Sequence, residues 1–251
     1  MCMFSKSVER VSDTKIFARR SGRRQLLVYE MRLAATGDLA MILPLPTASA
    51  AEDDVEFIDL SAYARFFDDM GRCFPAPVSR SFGALAVPAP APQLTVHRVG
   101  AFEASFVPRQ RAFARLDPRF RLAEGVMRQL PLYADFGFVV FQLRAGDARV
   151  HPMALSFSTR NERELFFPTA HVHDGAVHPT AAFDHALYAQ AKRAARPWVV
   201  GSILPRDVMD LGNAQVADRT RGIVEKDAPI VRSTLRGEQP NQDTWLADGA
   251  V

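Results

Sequence analysis

The sequence predicts an α+β protein in which antiparallel β-sheet dominates and helices are few and short. Short apolar stretches of strand length recur along the chain, and polar turns separate most of them. Residues 39–46 form a continuous apolar run that ends at prolines, as expected of a central strand buried on both faces. Helical patterns are limited to brief segments, of which the one beginning near Leu60 is the clearest.

The N-terminal portion reads as a meander of three or four strands at residues 2–6, 13–19, 25–33 and 39–46. Alternation predicts that Ile16 and Ala18 lie on one face of the second strand and Phe17 on the other. Asp59 is the expected cap of the helix near Leu60, and Gly71 is its expected end. The buried face of that helix is predicted to comprise Tyr63, Phe66, Phe67 and Met70.

The C-terminal portion is predicted to contain a second antiparallel sheet with strands at residues 94–98, 101–107, 136–143, 149–157 and 198–204. Residues 124–130 favour a short helix that stops before Pro131. Residues 181–190 fit two structures equally: a continued strand, or the start of a helix that runs to Arg196.

A proline-alanine segment, residues 87–93, favours an extended polyproline conformation and therefore predicts a stiff spacer. It divides the chain into an N-terminal portion, 1–86, and a C-terminal portion, 94–206. Residues 207–251 are poorer in apolar side chains and are expected to form an extended C-terminal arm. The alternative is that residues 1–206 form a single domain with the spacer as a surface excursion.

Composition excludes several classes of function. A net charge of +3 over 251 residues is too small to indicate nucleic-acid binding. The chain contains no run of about 18 apolar residues, so no membrane span is expected. Cys2 and Cys73 are the two cysteines, and the N-terminus lacks the apolar core of a signal peptide, which together predict a cytoplasmic protein. The nucleotide-binding glycine motifs, HExxH and CxxC are absent.

The densest group of chemically capable side chains surrounds Asp174-Gly175, a dipeptide typical of a two-residue hairpin turn. Such a turn pairs His171 with His178, and residues that are paired or two apart share a face. His171, His173 and His178 are therefore predicted to project from one side of the hairpin. A slip of one residue would move His178 to the opposite face.

Three imidazoles on one face, with one open position, are typical of a catalytic zinc site. We therefore predict a site for zinc or another divalent metal at His171, His173 and His178, with His151 as a fourth ligand if its strand is adjacent. The favoured function is a metal-binding protein and possible metal-dependent hydrolase. The plainer interpretation is a turn that carries histidines on a solvated face.

Cys2 supports a second hypothesis. Removal of Met1 would leave an N-terminal cysteine whose α-amine can act as its base, as in N-terminal nucleophile hydrolases. Arg19 or Arg20 is placed for the arginine that such amidohydrolases carry on a following strand. The alternative is that Cys2 is a small buried residue on an edge strand.

A third hypothesis is a non-enzymatic binding or assembly protein, in which the histidine face and the C-terminal arm contact a partner. The partner would be an unknown small molecule, another protein, or a second copy of the chain in a homo-oligomer.

The first 70 or so residues resemble a known family. The pattern consists of Cys2, the stretch at residues 13–17, the apolar run ending at Thr47, and a helix with Tyr63 and Phe67. It is similar to a bacterial family catalogued as a domain of unknown function, whose members are typically exported. No activity is established for that family, so the resemblance implies none. The chain departs from the family in lacking a signal-peptide pattern.

Overall fold

The computed structural model describes residues 2–74, 103–122, 124–191, 196–210 and 214–248. The strands in chain order are β1 (Cys2–Phe4), β2 (Arg10–Ser21), β3 (Arg24–Ala35), β4 (Leu39–Leu45), β5 (Val55–Ile58), β6 (Glu103–Val107), β7 (Gly137–Leu143), β8 (Gly146–Ser158), β9 (Glu164–Phe167), β10 (His171–Val172), β11 (Thr180–Gln190), β12 (Val199–Val200), β13 (Val231–Pro240) and β14 (Thr244–Ala247). The α-helices are α1 (Phe66–Gly71), α2 (Glu124–Arg128), α3 (Pro205–Met209) and α4 (Val216–Arg219). Short 3-10 turns occupy Ser61–Tyr63, Gln110–Arg115, Pro118–Phe120 and Pro131–Tyr133.

Two sheets form the body of the protein. One has five strands in the order β10-β1-β4-β7-β6, and the other has seven in the order β12-β13-β11-β2-β3-β8-β5. Most neighbours are antiparallel, which confirms the predicted mostly-β architecture with few short helices. Two of the pairs, β1 with β10 and β2 with β11, are parallel and were not predicted. Parallel neighbours need long connections, so no local turn signal reports them.

The inner core lies between the two sheets and is filled by side chains from both. Alternation along each strand sends every second residue into this layer, which is the pattern expected of packed sheets. Representative side chains in it, all buried, are Ile16, Ala18, Leu27, Met41, Leu43, Val139, Leu155 and Leu187. Ile16 and Ala18 share this inner face and Phe17 lies on the other, as predicted.

Each sheet also has a covered outer face. Short turns and helices between residues 110 and 136 pack over the five-stranded sheet, where Ala40 and Ile42 point outward. Every residue of β4 is buried, which confirms the predicted strand with two covered faces. The helical segments α1, α3 and α4 cover the seven-stranded sheet. The helix predicted from near Leu60 is divided into a 3-10 turn and α1. The predicted burial of its apolar residues is confirmed, since the following four belong to this cluster: Tyr63, Phe66, Phe67 and Met70.

Strands from both predicted portions combine in the same sheets, because β3 pairs with β8 and β4 pairs with β7. The stretch predicted as an extended arm contributes β13, which pairs with β11 over ten residues, and β14, which pairs with β9. Residues 181–190 lie in strand β11 rather than a helix. The spacer at 87–93 and the strand predicted at 94–98 lie outside the described residues. Within those residues, no helix combines the length and apolar character needed to cross a bilayer.

Candidate functional site

The two-residue hairpin predicted at Asp174-Gly175 is wrong. His171 does not pair with His178; it pairs in parallel with Cys2 of β1. Gly175 does adopt positive φ, and Asp174 accepts a hydrogen bond from the Ala176 amide, so the reversal itself is local. The chain then continues through a loop to β11, whose partners are β2 and β13. Long-range strand partners replace the local one, so the predicted face of three histidines does not form.

Asn241, which follows β13, fixes the conformation of the loop between β10 and β11. Its side-chain oxygen accepts from the His171 amide at 2.6 Å. Its side-chain nitrogen donates to the carbonyls of His171 and His178, both at 2.9 Å. These contacts satisfy backbone groups that a hairpin would have paired with each other. Sequence reasoning missed Asn241, and a single asparagine after a strand offers little signal.

His178 lies apart from the other predicted ligands. Its Nε2 contacts Asp174 Oδ2 at 2.8 Å, and both side chains are exposed. The contact with His178 and the Ala176 amide together lower the pKa of the Asp174 carboxyl. His178 is therefore a surface residue paired within its own loop, which is the plainer interpretation considered for these histidines.

A different third histidine joins His171 and His173. His185 projects from β11 into the space between the sheets, and its Nε2 lies 3.2 Å from His171 Nε2. The ring of His171 stacks between its neighbours, with centroids 4.6 Å from His173 and 4.9 Å from His185. We call these three residues the histidine cluster. The alternation of Phe183, His185 and Leu187, all buried, could have placed His185 on an inner face.

Burial lowers the pKa of every imidazole in the histidine cluster. The pKa of His171 falls to about 2, that of His185 to about 3 and that of His173 to about 4. Desolvation is the main cause in each case, because a charged ring loses its hydration between the sheets. Repulsion from His173 adds to the effect on His171 and His185. All three rings are therefore neutral at pH 7, the state in which imidazole binds metals or forms neutral hydrogen bonds.

A cavity of about 340 Å³ adjoins the histidine cluster. All three histidines line it, together with Thr14 on β2 and Glu9 and Arg10 at the start of that strand. Thr14 is the direct cross-strand partner of His185. The cavity thus combines neutral nitrogen donors in its wall with charges of both signs near the start of β2.

Two ring nitrogens of the histidine cluster are buried without a hydrogen-bond partner among the described residues: His173 Nε2 and His185 Nδ1. His185 is only 2% exposed. A buried polar atom without a partner costs about 1–3 kcal/mol. As the side chains stand, the described residues form no group of three or more metal donors.

Cys2 lies beside the histidine cluster but is closed off. It is 1% exposed, and its backbone amide donates to the Ala170 carbonyl at 2.6 Å. Burial raises the pKa of the thiol to about 12, although the neighbouring Tyr29 side chain offsets part of the effect. A thiol in this environment is protonated at neutral pH and is a poor nucleophile.

Arg19 does not lie with Cys2 in a shared site. Its guanidinium donates to the carbonyls of Gly222 and Ile223 and to the carboxylate of Glu225. Burial lowers its pKa, and Glu225 counteracts the shift. Arg19 therefore ties β2 to the segment that follows α4, a structural role.

His151 also lies away from the histidine cluster. It is on β8, and its Nδ1 lies 3.1 Å from the carbonyl of Pro152. Burial lowers its pKa. It does not line the cavity beside the histidine cluster, so the fourth ligand predicted from the sequence does not reach the other three histidines.

Comparison with known proteins shows a fold and no family. No protein-family model matches the sequence, and no curated protein matches it. The crystal structure of baculovirus P35 is similar with a TM-score of 0.54 and 11% identity, over 95% of this chain and 97% of that chain. P35 in a caspase-8/P35 complex gives a TM-score of 0.49 at 10% identity, over 94% and 96% of the two chains. At 11% identity, the similarity to the first of these structures establishes a shared fold and nothing about function.

Proposed function

We propose that this chain is a non-enzymatic protein that binds a cysteine peptidase of the caspase class. The observation that carries the proposal is the likeness to baculovirus P35, which extends over nearly the whole length of both chains. P35 has been crystallised in a complex with caspase-8, so that protein binds a member of this class. This proposal develops the third hypothesis drawn from the sequence, a binding protein with a protein partner.

The environment of Cys2 counts against the hypothesis of an N-terminal nucleophile. The thiol is buried between the sheets with a raised pKa, and Arg19 is engaged elsewhere. An N-terminal nucleophile must reach its substrate as an activated thiol. The Cys2 thiol is neither accessible nor activated. It packs beneath β2 and β3 in a core cluster with Ile16, Leu27 and Tyr29.

The test is direct titration of an active peptidase. Purified caspase-8 is incubated with increasing amounts of the full chain, and residual activity is measured with a fluorogenic peptide. Size-exclusion chromatography with light scattering then measures whether the two proteins co-elute. We expect activity to fall in proportion to added chain and a complex of defined stoichiometry to form.

Controls separate binding from simple proteolysis. Papain, a cysteine peptidase that is not a caspase, and trypsin, a serine peptidase, should keep their activity under the same conditions. Intact mass spectrometry of the chain after incubation shows whether it has merely been cut. Two results overturn the proposal. One is full caspase-8 activity and no co-elution at a large molar excess of the chain. The other is cleavage of the chain without loss of caspase-8 activity.

A further inference from the structure

The cavity beside the histidine cluster brings two imidazole nitrogens close together. The Nε2 atoms of His171 and His185 are 3.2 Å apart. Two imidazole nitrogens bound to one tetrahedral zinc ion at its usual bond length lie about 3.3 Å from each other. The two sheets therefore already hold two nitrogens at the separation that a shared metal ion requires. Because these two rings are inclined to each other by only 26°, they must also tilt before both lone pairs meet at one ion.

We propose that this cavity binds one divalent transition-metal ion of the zinc type through His171 and His185, with His173 as the third ligand. Imidazole nitrogen suits zinc, copper and nickel, so the chemistry selects this class over calcium or magnesium. The site differs from the one predicted from the sequence, because His185 replaces His178.

The competing explanation is a simple hydrogen bond between two neutral rings, one donating and the other accepting. That bond would leave His173 Nε2 and His185 Nδ1 without partners among the described residues. A metal ion supplies a partner for His173 Nε2. His185 Nδ1 then needs an acceptor of its own, and Thr14, its cross-strand partner, lines the same cavity.

The ring of His173 must turn for the third bond to form. It now stacks on His171 with an interplanar angle of 18°, so the in-plane lone pairs of the two rings do not converge. His173 lies just after β10, in the loop before β11, and lines the cavity into which it would turn.

The experiment uses the full chain without a polyhistidine tag, because a tag binds the same metals. The protein is treated with a chelator, exchanged into clean buffer, and titrated with Zn²⁺ by calorimetry and with Co²⁺ by visible absorption. We expect one equivalent of metal to bind, a tetrahedral cobalt spectrum, and a higher melting temperature with zinc. No binding of either ion overturns the proposal.

Variants identify the ligands. His171→Ala and His185→Ala should each weaken zinc binding by at least about tenfold, as loss of a ligand does. His178→Ala, in the same loop but exposed, is the matched control and should bind like the unmodified chain. Equal weakening in His178→Ala, or no weakening in the other two, overturns the assignment.

His173→Asn covers the case in which the two buried variants fail to fold. Because His173 is less deeply buried than His185, the circular dichroism spectrum of His173→Asn should match that of the unmodified chain. A weakening of at least about tenfold in this variant supports the site, and unchanged binding overturns it. The titrations contain no peptidase, so their outcome is independent of the test of peptidase binding.

Discussion

At the scale of single residues, the structure depends on side chains that join parts of the chain far apart in sequence. Gln25 on β3 exchanges hydrogen bonds with the backbone of Phe166 at 2.7 and 3.0 Å. Gln190 holds the segment after α4 in the same manner, through Glu225 and Ala228. Polar groups buried between layers must find such partners, since leaving them unpaired costs more than the bonds contribute.

Asn241→Ala tests another residue of this kind. The substitution removes three side-chain hydrogen bonds that hold the loop between β10 and β11. We expect the free energy of unfolding in urea to fall by about 2 kcal/mol. Gln239→Ala is the control, because that exposed side chain makes one contact with the Arg236 carbonyl. An equal effect of the two substitutions would contradict the role given to Asn241.

The two thiols predict a pH dependence. Burial raises the pKa of Cys2 to about 12 and that of Cys73 to about 11. A thiol whose pKa is raised on folding contributes stability that is fully present below the unfolded pKa near 9 and is lost as the pH rises toward the folded value. The free energy of unfolding should therefore fall between pH 9 and pH 11, and less steeply in Cys73→Ala.

Thiol labelling checks the same burial at a single pH. Both thiols should react slowly with a disulfide reagent in the native protein at pH 8, and rapidly in protein unfolded by urea. Fast native labelling of Cys2 would revive the nucleophile hypothesis, because it would show an accessible thiolate.

At the scale of elements, position in the sheet decides what a strand tolerates. Strand β7 lies inside the five-stranded sheet, and Val139 on it is 0% exposed. Strand β12 ends the seven-stranded sheet, and Val199 on it is 59% exposed. An edge strand of two residues gives another chain little to pair with, a common protection against aggregation.

The same substitution at both valines separates the two environments. Val139→Thr places a hydroxyl in the inner core and should lower the free energy of unfolding by about 1–3 kcal/mol. Val199→Thr should change it by less than about 0.5 kcal/mol, since its side chain is already in water. Denaturant unfolding measures both, and similar values would contradict the layered arrangement of the sheets.

At the scale of the whole molecule, the two sheets each combine strands from both sides of residues 87–93. Cores of this kind unfold together, because removal of β7 or β8 takes away partners of β4 and β3. Trp198 packs against Phe167 and Trp245 against Phe166, so both tryptophans report on the packing around β9.

Unfolding should therefore occur in one step. Tryptophan fluorescence and far-ultraviolet circular dichroism, followed in the same urea series, are expected to give coincident transitions. Two separated transitions would favour the alternative of independent portions 1–86 and 94–206. The control is refolding by dilution, which should retrace the same curve.

Local pattern accounts for much of this molecule. The alternation in β2, the doubly buried run of β4 and the aromatic face around α1 follow from short-range periodicity, and all are found where the residues indicate. These features depend on where each side chain points along its own element, which neighbouring residues define.

The meeting of distant strands follows a different rule. His171 joins His185 and not His178 because β10 lies beside β1, while β11 lies between β2 and β13. Packing of the two sheets selects those partners. A short stretch of sequence does not predict which distant strands pair, because the energy of the pairing depends on both strands. The sequence by itself therefore showed which histidines were available. Only the packing of the sheets determined which of them line the cavity.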